Sequence, residues 1–152
     1  MAEIYLICDL SGSMVEDGKR FIVRNIVRTV DQYFRLRGET PDMFVASWSS
    51  DVAVERWSLG QDFPEQMLVC GGEASGSCLV DALSGASEAD FMLLTDGYWA
   101  PETLRRIKTW YRSLPDGHFR IIKIGVDANP RMGGDNVFSS ENLLGALEDW
   151  VR

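Results

Sequence analysis

The sequence predicts an α/β fold: a doubly wound, mostly parallel sheet with one antiparallel edge strand and helices on both faces. Three observations predict it. Short apolar runs alternate along the chain with segments of helical period, the pattern of a parallel sheet covered by helices. Two neighbouring strand-like runs are joined only by Ser49-Ser50-Asp51, short enough for an antiparallel hairpin. The 152 residues are 45% hydrophobic and 25% charged, an ordinary globular composition, and the length suits a single domain over 1–152.

The elements follow in order. Residues 3–9 (EIYLICD) are a continuous apolar run and read as a buried strand. A polar loop, SGSMVEDGK, leads into a helix over 19–37, where Val23, Val27, Val30 and Phe34 make one apolar stripe and Gly38 supplies the stop. Residues 43–48 and 52–57 are the hairpin strands. The stretch 58–76 reads as irregular, with Pro64 and the pair Gly71-Gly72. A short helix is expected over 77–86 and a buried strand over 90–95. Pro101 suits a first helical turn, and Leu104, Ile107, Tyr111 and Leu114 carry a helical period to 114. Residues 118–126 are the next strand, 127–135 a loop, and 136–138 a last short strand. Ser139 or Ser140 caps a C-terminal helix with Leu143, Leu144, Leu147 and Val151 on its apolar side.

Charge and composition exclude several functions. The 23 Asp and Glu against 15 Lys and Arg give a net charge of -8, which opposes binding to nucleic acid and to anionic membrane surfaces. No apolar run has the ~20-residue length of a membrane span, and the N-terminal stretch lacks the basic region and cleavage site of a secretory leader. Cys8, Cys70 and Cys78 are odd in number and lack metal-type spacing, so free thiols in a reducing compartment, the cytoplasm, are expected. One histidine, His118, and no Cys-x-x-Cys pair argue against structural zinc.

Ligands of open α/β sheets bind beyond the carboxyl ends of the strands. There the loop Asp9-Leu10-Ser11-Gly12-Ser13 puts a carboxylate and two hydroxyls at alternate positions. Thr95-Asp96-Gly97 adds a second carboxylate after a later strand, and Gly71-Gly72-Glu73-Ala74-Ser75-Gly76-Ser77 adds further oxygens. Oxygen-only donors from separated loops suit a hard divalent cation, Mg²⁺ first, with Mn²⁺ or Ca²⁺ as alternatives.

With these motifs the chain resembles the von Willebrand factor type A family, whose fold carries a metal-ion-dependent adhesion site. Asp9-Leu10-Ser11-Gly12-Ser13 matches the family's Asp-x-Ser-x-Ser motif, Leu94-Thr95-Asp96-Gly97 matches the segment of its last acidic residue, and the Gly71-Gly72 segment matches the loop with its threonine ligand. The element order agrees along essentially the whole chain. The resemblance implies Asp9, Ser11 and Ser13 as first-loop ligands, Asp96 acting directly or through water, and metal-dependent binding of a partner protein, with no catalysis. It also implies a partner acidic side chain completing the metal shell. Small stand-alone members of this kind in prokaryotes serve as adaptors to MoxR-type AAA+ ATPases or in tellurite-resistance and stress or conflict systems. One departure stands out. The family's Gly-Gly-Thr-x-Thr-Gly reads Gly72-Glu73-Ala74-Ser75-Gly76 here, so either Glu73 or Ser75 is the expected third-loop ligand. Three carboxylates would overcompensate a +2 cation and weaken its pull on a partner carboxylate, so Glu73 is expected to occupy the site in the free state or to shift its ligand preference.

Met14, Tyr98 and Trp99 flank the proposed ligands and form an expected partner-binding rim; Trp and Tyr are favoured interface anchors. Lys19, Arg20, Arg24 and Arg28 recur at helical spacing and read as a solvated helix face. The competing enzyme reading is a Mg²⁺-dependent phosphatase similar to the haloacid dehalogenases. Those place an acidic proton donor two residues after the first aspartate, where this chain has Ser11. A scaffold with an inactive metal site is the third reading.

Overall fold

The central strand of the sheet is the first one made. In the computed structural model, which describes residues 3–148 and residue 150, six strands lie in the order β3-β2-β1-β4-β5-β6. They are β1 (Glu3–Asp9), β2 (Asp42–Trp48), β3 (Val52–Trp57), β4 (Asp90–Thr95), β5 (Phe119–Lys123) and β6 (Val137–Ser139). All neighbours are parallel except β2 and β3, the expected antiparallel hairpin, which puts β3 on the edge. The apolar run of β1 is explained by its place, with a strand on either side and helices on both faces.

Alternation of side chains along the strands sorts the core into two layers. Ile4, Leu6 and Cys8 of β1, with Met92 and Leu94 of β4, pack beneath helix α1 (Lys19–Leu36) and the short C-terminal helix α4 (Leu143–Leu147). Ile7 of β1, with Phe91 and Leu93 of β4, packs beneath α2 (Gly76–Leu83) and α3 (Pro101–Arg112). Val23, Val27, Val30 and Phe34 are all buried as their period predicts. Burying four such side chains is worth roughly 6–12 kcal/mol in transfer free energy. Gly38 adopts a left-handed φ of 67°, and the Glu39 amide donates to the Phe34 carbonyl at 3.0 Å to close the helix.

Several boundaries differ from expectation. The loop after β1 is wound into a 3-10 segment, Gly12–Gly18, kinked at Glu16 and Asp17. Its Met14 is fully buried in the layer beneath α1, so the expected rim residue is a core residue here. Another 3-10 turn, Glu65–Leu68, lies in the stretch read as irregular, where it tucks Met67 into the core. The strand expected over 118–126 runs only from Phe119 to Lys123, and Gly125 just beyond it takes a φ of 92° that no strand uses. Helix α3 ends at Arg112, and its buried side is Thr103, Ile107 and Trp110, one position off the Leu104, Ile107, Tyr111 stripe. The C-terminal helix is only Leu143–Leu147 after a 3-10 turn; Leu144 is exposed, and Val151 lies outside the described residues.

Helix α2 begins early, at Gly76, for a packing reason. A Cβ at Gly76 would lie 2.9 Å from the Thr103 Cα and 3.0 Å from its carbonyl oxygen, both backbone atoms of α3. Thr103 Oγ1 accepts from the Gly76 amide at 3.2 Å and donates to the Ala74 carbonyl at 3.0 Å. This close approach pins the 71–76 loop over the sheet. Gly76→Ala is therefore expected to lower stability by about 1–3 kcal/mol through overpacking, read as a lower urea midpoint by circular dichroism; an unchanged midpoint would show that α2 and α3 separate freely.

Candidate functional site

Strand alternation also decides where the two expected acids go. Asp9, the last residue of β1, has the parity of Ile7 and points to the α2–α3 side. Asp96 follows β4 with the parity of Leu94 and points to the α1 side. Both are fully buried, yet their surroundings differ.

Asp9 is held by neutral donors. Its Oδ1 accepts from the Ser11 amide at 2.9 Å and the Ser11 hydroxyl at 2.6 Å. Its Oδ2 accepts from the Thr95 hydroxyl at 2.6 Å and, at 3.4 Å, from the Trp99 indole. Thr95 Oγ1 accepts in turn from the Gly97 amide and from Trp99 Nε1, so it has no lone pair left over. Among the described residues no lysine, arginine or histidine forms an ion pair with Asp9. Burial raises its pKa; the hydrogen bonds from Ser11 and Thr95 act against that rise, and the nearby Asp96 charge adds to it.

Asp96 has a cation. Its Oδ2 accepts from Lys19 Nζ at 3.1 Å, and its Oδ1 accepts from the Tyr98 amide at 3.2 Å. The same ammonium reaches Asp127 Oδ2 at 3.2 Å and sits 5.9 Å from the centre of the Tyr98 ring. Lys19 is 1% exposed, so the solvated helix face expected for it is wrong: only Arg28 of that set is exposed, and Arg20 and Arg24 are half-buried against Phe21. Burial alone would lower the Lys19 pKa, but the hydrogen bonds and charges of Asp96 and Asp127 outweigh it and raise the pKa.

The remaining expected residues fall into two groups. Ser11, Ser13 and Glu73 line one cavity of about 290 Å³, together with Tyr98 and Trp99. Its walls are tied by backbone bonds, Gly12 N to Gly72 O at 2.9 Å and Gly71 N to Leu10 O at 2.8 Å. Gly72 takes a φ of 74°, which its residue type allows. Ser75 is turned away from this cavity's lining. Its hydroxyl caps α2 by accepting from the Cys78 amide at 3.3 Å, and its carbonyl accepts from Trp48 Nε1 at 2.8 Å. Glu73 is exposed. Tyr98 is 50% exposed, with its hydroxyl donating to the Asp127 carbonyl. Trp99 is half-buried, edge-on to Trp48 at 5.7 Å.

A hard cation suits what surrounds Asp9. A buried carboxylate without an ionic partner is costly, and the Ser11 hydroxyl spends its proton on Asp9, leaving oxygen lone pairs beside a cavity that Ser13 and Glu73 also line. No cluster of three or more His, Cys, Asp or Glu placed to hold a metal exists among the described residues, so any such ion would lean on hydroxyls and water. The cysteines are free among themselves, and burial raises the pKa of Cys8 and of Cys70, which keeps both thiols protonated. The sequence reading missed Lys19, Thr95 and Asp127 as members of the site. One signal pointed to Lys19: it is a basic residue at the first position of a helix without an acid in its first turn, against the helix dipole.

No protein-family model matches the chain, and no curated protein matches it. Solved structures do. The manganese-loaded TRAP protein of Plasmodium vivax superposes with a TM-score of 0.65 at 16% identity, over 99% of this chain and 73% of that one. An aerotolerance-related membrane protein from Bacteroides fragilis gives 0.57 at 13% identity, over 89% and 77%. Proximal thread matrix protein 1 of the mussel byssus, with a zinc-occupied MIDAS motif, gives 0.56 at 14% identity, over 95% of this chain and 44% of that one. The sheet order, the antiparallel edge and these likenesses together give this chain the fold of a von Willebrand factor type A domain.

Proposed function

We propose that this chain is a metal-dependent protein-binding module and not an enzyme, using a divalent cation at Asp9, Ser11 and Ser13. The observation that carries the reading is the buried, ion-pair-free carboxylate of Asp9 beside a cavity lined by Ser11, Ser13 and Glu73. Two proteins of the same fold support it, one loaded with manganese and one with zinc in its MIDAS motif. When bound, the cation supplies a positive charge that attracts a partner's carboxylate.

The protein's own residues do the rest. Ser11 and Thr95 orient the Asp9 carboxylate. Glu73 is the third-loop carboxylate within the same cavity and competes with a partner's acid in the free state, while Ser75 serves the α2 cap and Asp96 stays behind the site. Tyr98, with the exposed Val15, Val69 and Val126, offers apolar surface on loops at the carboxyl end of the sheet. Mg²⁺ is the cellular metal in this reading, with Mn²⁺ or Ca²⁺ as substitutes. The free thiols support a cytoplasmic setting, and no helix among the described residues is long and apolar enough to cross a membrane. An AAA+ ATPase of the MoxR type, or a partner in a tellurite-resistance or stress system, follows from the family resemblance alone. The phosphatase reading has less support, because the position that would need an acidic proton donor holds Ser11, a hydroxyl hydrogen-bonded to Asp9.

Asp9 is less peripheral than a loop residue: removing its side chain would leave the Ser11 amide and the Thr95 hydroxyl unpaired, at about 1–3 kcal/mol. Asp9→Asn keeps the shape and an acceptor for Ser11 but turns an amide NH2 toward the Thr95 and Trp99 donors, so its fold is checked by circular dichroism before its metal binding is read. It is expected to fold and to lose Mn²⁺ binding by about 100-fold or more, since a charge of −1 leaves the site; titration followed by the electron paramagnetic resonance of free Mn²⁺ reads this, and unchanged binding would place the metal elsewhere. A partner captured from the native host should be released by chelator. For that partner, Tyr98→Ala should cost about 1–2 kcal/mol of affinity, measured by calorimetry against the wild-type chain; equal affinity would remove Tyr98 from the interface.

A further inference from the structure

We propose that Lys19 is a resident counter-cation which withdraws Asp96 from divalent-cation binding and so sets how weakly the Asp9 site holds its metal. This rests on the metal-binding reading above and adds the residue that tunes it. Four observations converge. Asp96 Oδ2 accepts from the Lys19 ammonium at 3.1 Å and Oδ1 from the Tyr98 amide at 3.2 Å, so a metal at Asp96 would have to break an ion pair, whereas every hydrogen-bond partner of Asp9 is neutral. The pair is sealed, with Lys19 at 1% and Asp96 at 0% exposure, and a second carboxylate, Asp127, grips the same ammonium at 3.2 Å. The fold makes room for this: a Cβ at Gly125 would lie 2.9 Å from the Lys19 Cε and 2.9 Å from Asp127 Oδ1. And Lys19 begins α1, where the helix dipole disfavours a cation and the first turn carries no acid to offset it, so helix stability does not explain its position.

The consequence is electrostatic. A fixed ammonium cancels one of the two buried carboxylates of the loop cluster and repels an incoming divalent cation across a poorly solvated space, where charges interact more strongly than in water. Within the loop cluster, among the described residues, Asp9 is left as the buried acid without an ionic partner, and Ser11 is tied to it by its amide and its hydroxyl.

The test compares Lys19→Met, which keeps the aliphatic stem, with Asp9→Asn and the charge-balanced pair Lys19→Met with Asp96→Asn, using Mn²⁺ alone as the probe and electron paramagnetic resonance and calorimetry as readouts. Lys19→Met should bind Mn²⁺ roughly tenfold or more tightly than the wild type, and the double variant should return to within about threefold of it, since its net charge is restored. Unchanged or weaker binding in Lys19→Met, with Asp9→Asn still silent, overturns the role of Lys19 and leaves the metal site standing. Absence of Mn²⁺ binding in the wild type and in Lys19→Met overturns the metal-binding reading itself. Should Lys19→Met fail to fold by circular dichroism, the double variant is compared with Asp96→Asn alone: Mn²⁺ binding about tenfold or more tighter in the double variant supports the proposal, and equal or weaker binding overturns it.

Discussion

The constraint on which this structure turns is the burial of two carboxylates at the ends of adjacent parallel strands. A carboxylate removed from water must recover several kcal/mol from its new surroundings. Asp9 and Asp96 recover it by different means because β1 and β4 run side by side in register, Cys8 opposite Leu94. The next residue of each strand, Asp9 and Thr95, turns to one side, and Asp96, one residue beyond β4, turns to the other. On one side stand Ser11, Thr95 and Trp99, all neutral donors. On the other stands the first turn of α1, with Lys19. One sheet register thus creates two acids of unlike character within a single loop cluster.

The loops depend on this arrangement in turn. Thr95 binds Asp9 through its hydroxyl, and its carbonyl accepts from the Ile124 amide at 2.8 Å. Asp96 meets Lys19 through its side chain, and its carbonyl accepts from the Asn129 amide at 2.8 Å. Trp48 carries Trp99 on its ring edge and the Ser75 carbonyl on its indole nitrogen. Four loops that are distant in sequence are therefore bonded to one another through backbone groups, which any sequence supplies, and through six side chains that only these positions supply.

That division explains what could be read from the sequence. The order of elements along the chain, the hairpin and the α1 stripe were legible because apolar periodicity is a local property: Val23, Val27, Val30 and Phe34 announce their common face within one helix. Asp9, Ser11 and Ser13 stood out as a candidate group because their alternate spacing at a strand end has chemical meaning by itself, and the structure bonds Ser11 to Asp9. Lys19 was not, since the partners that bury it lie 77 and 108 residues away. Lys19 shares its helical spacing with Arg20, Arg24 and Arg28, and a spacing does not distinguish a lysine at the helix start from arginines further along. Met14 failed for the reverse reason: adjacency to the ligand loop suggested a rim, while the 3-10 winding of Gly12–Gly18 turns it into the core. The Ser75 and Glu73 alternative was open in the sequence because both are oxygen donors two residues apart. The docking of Gly76 on Thr103 fixes where α2 starts and puts the Ser75 hydroxyl at its N-cap.

Charge counting shows why the identity of position 73 matters under the proposed function. Counted against the Asp9 carboxylate alone, a divalent cation there retains a surplus of +1, which attracts one acidic side chain; the Lys19 ammonium is shared by Asp96 and the half-exposed Asp127 and does not enlarge it. Glu73, exposed on the lip of the same cavity, has the charge to consume that surplus from within the chain. A threonine at that place would donate a neutral oxygen and leave the surplus for a partner. Lys19 and Glu73 therefore act on opposite sides of one balance. The ammonium weakens the hold on the metal, and the glutamate spends the metal's remaining charge when no partner is present. A partner must then bring more than a lone carboxylate, since it has to outcompete a tethered one. The apolar contacts available on the surrounding loops, Val15, Val69, Tyr98 and Val126, are the physical means for that selectivity.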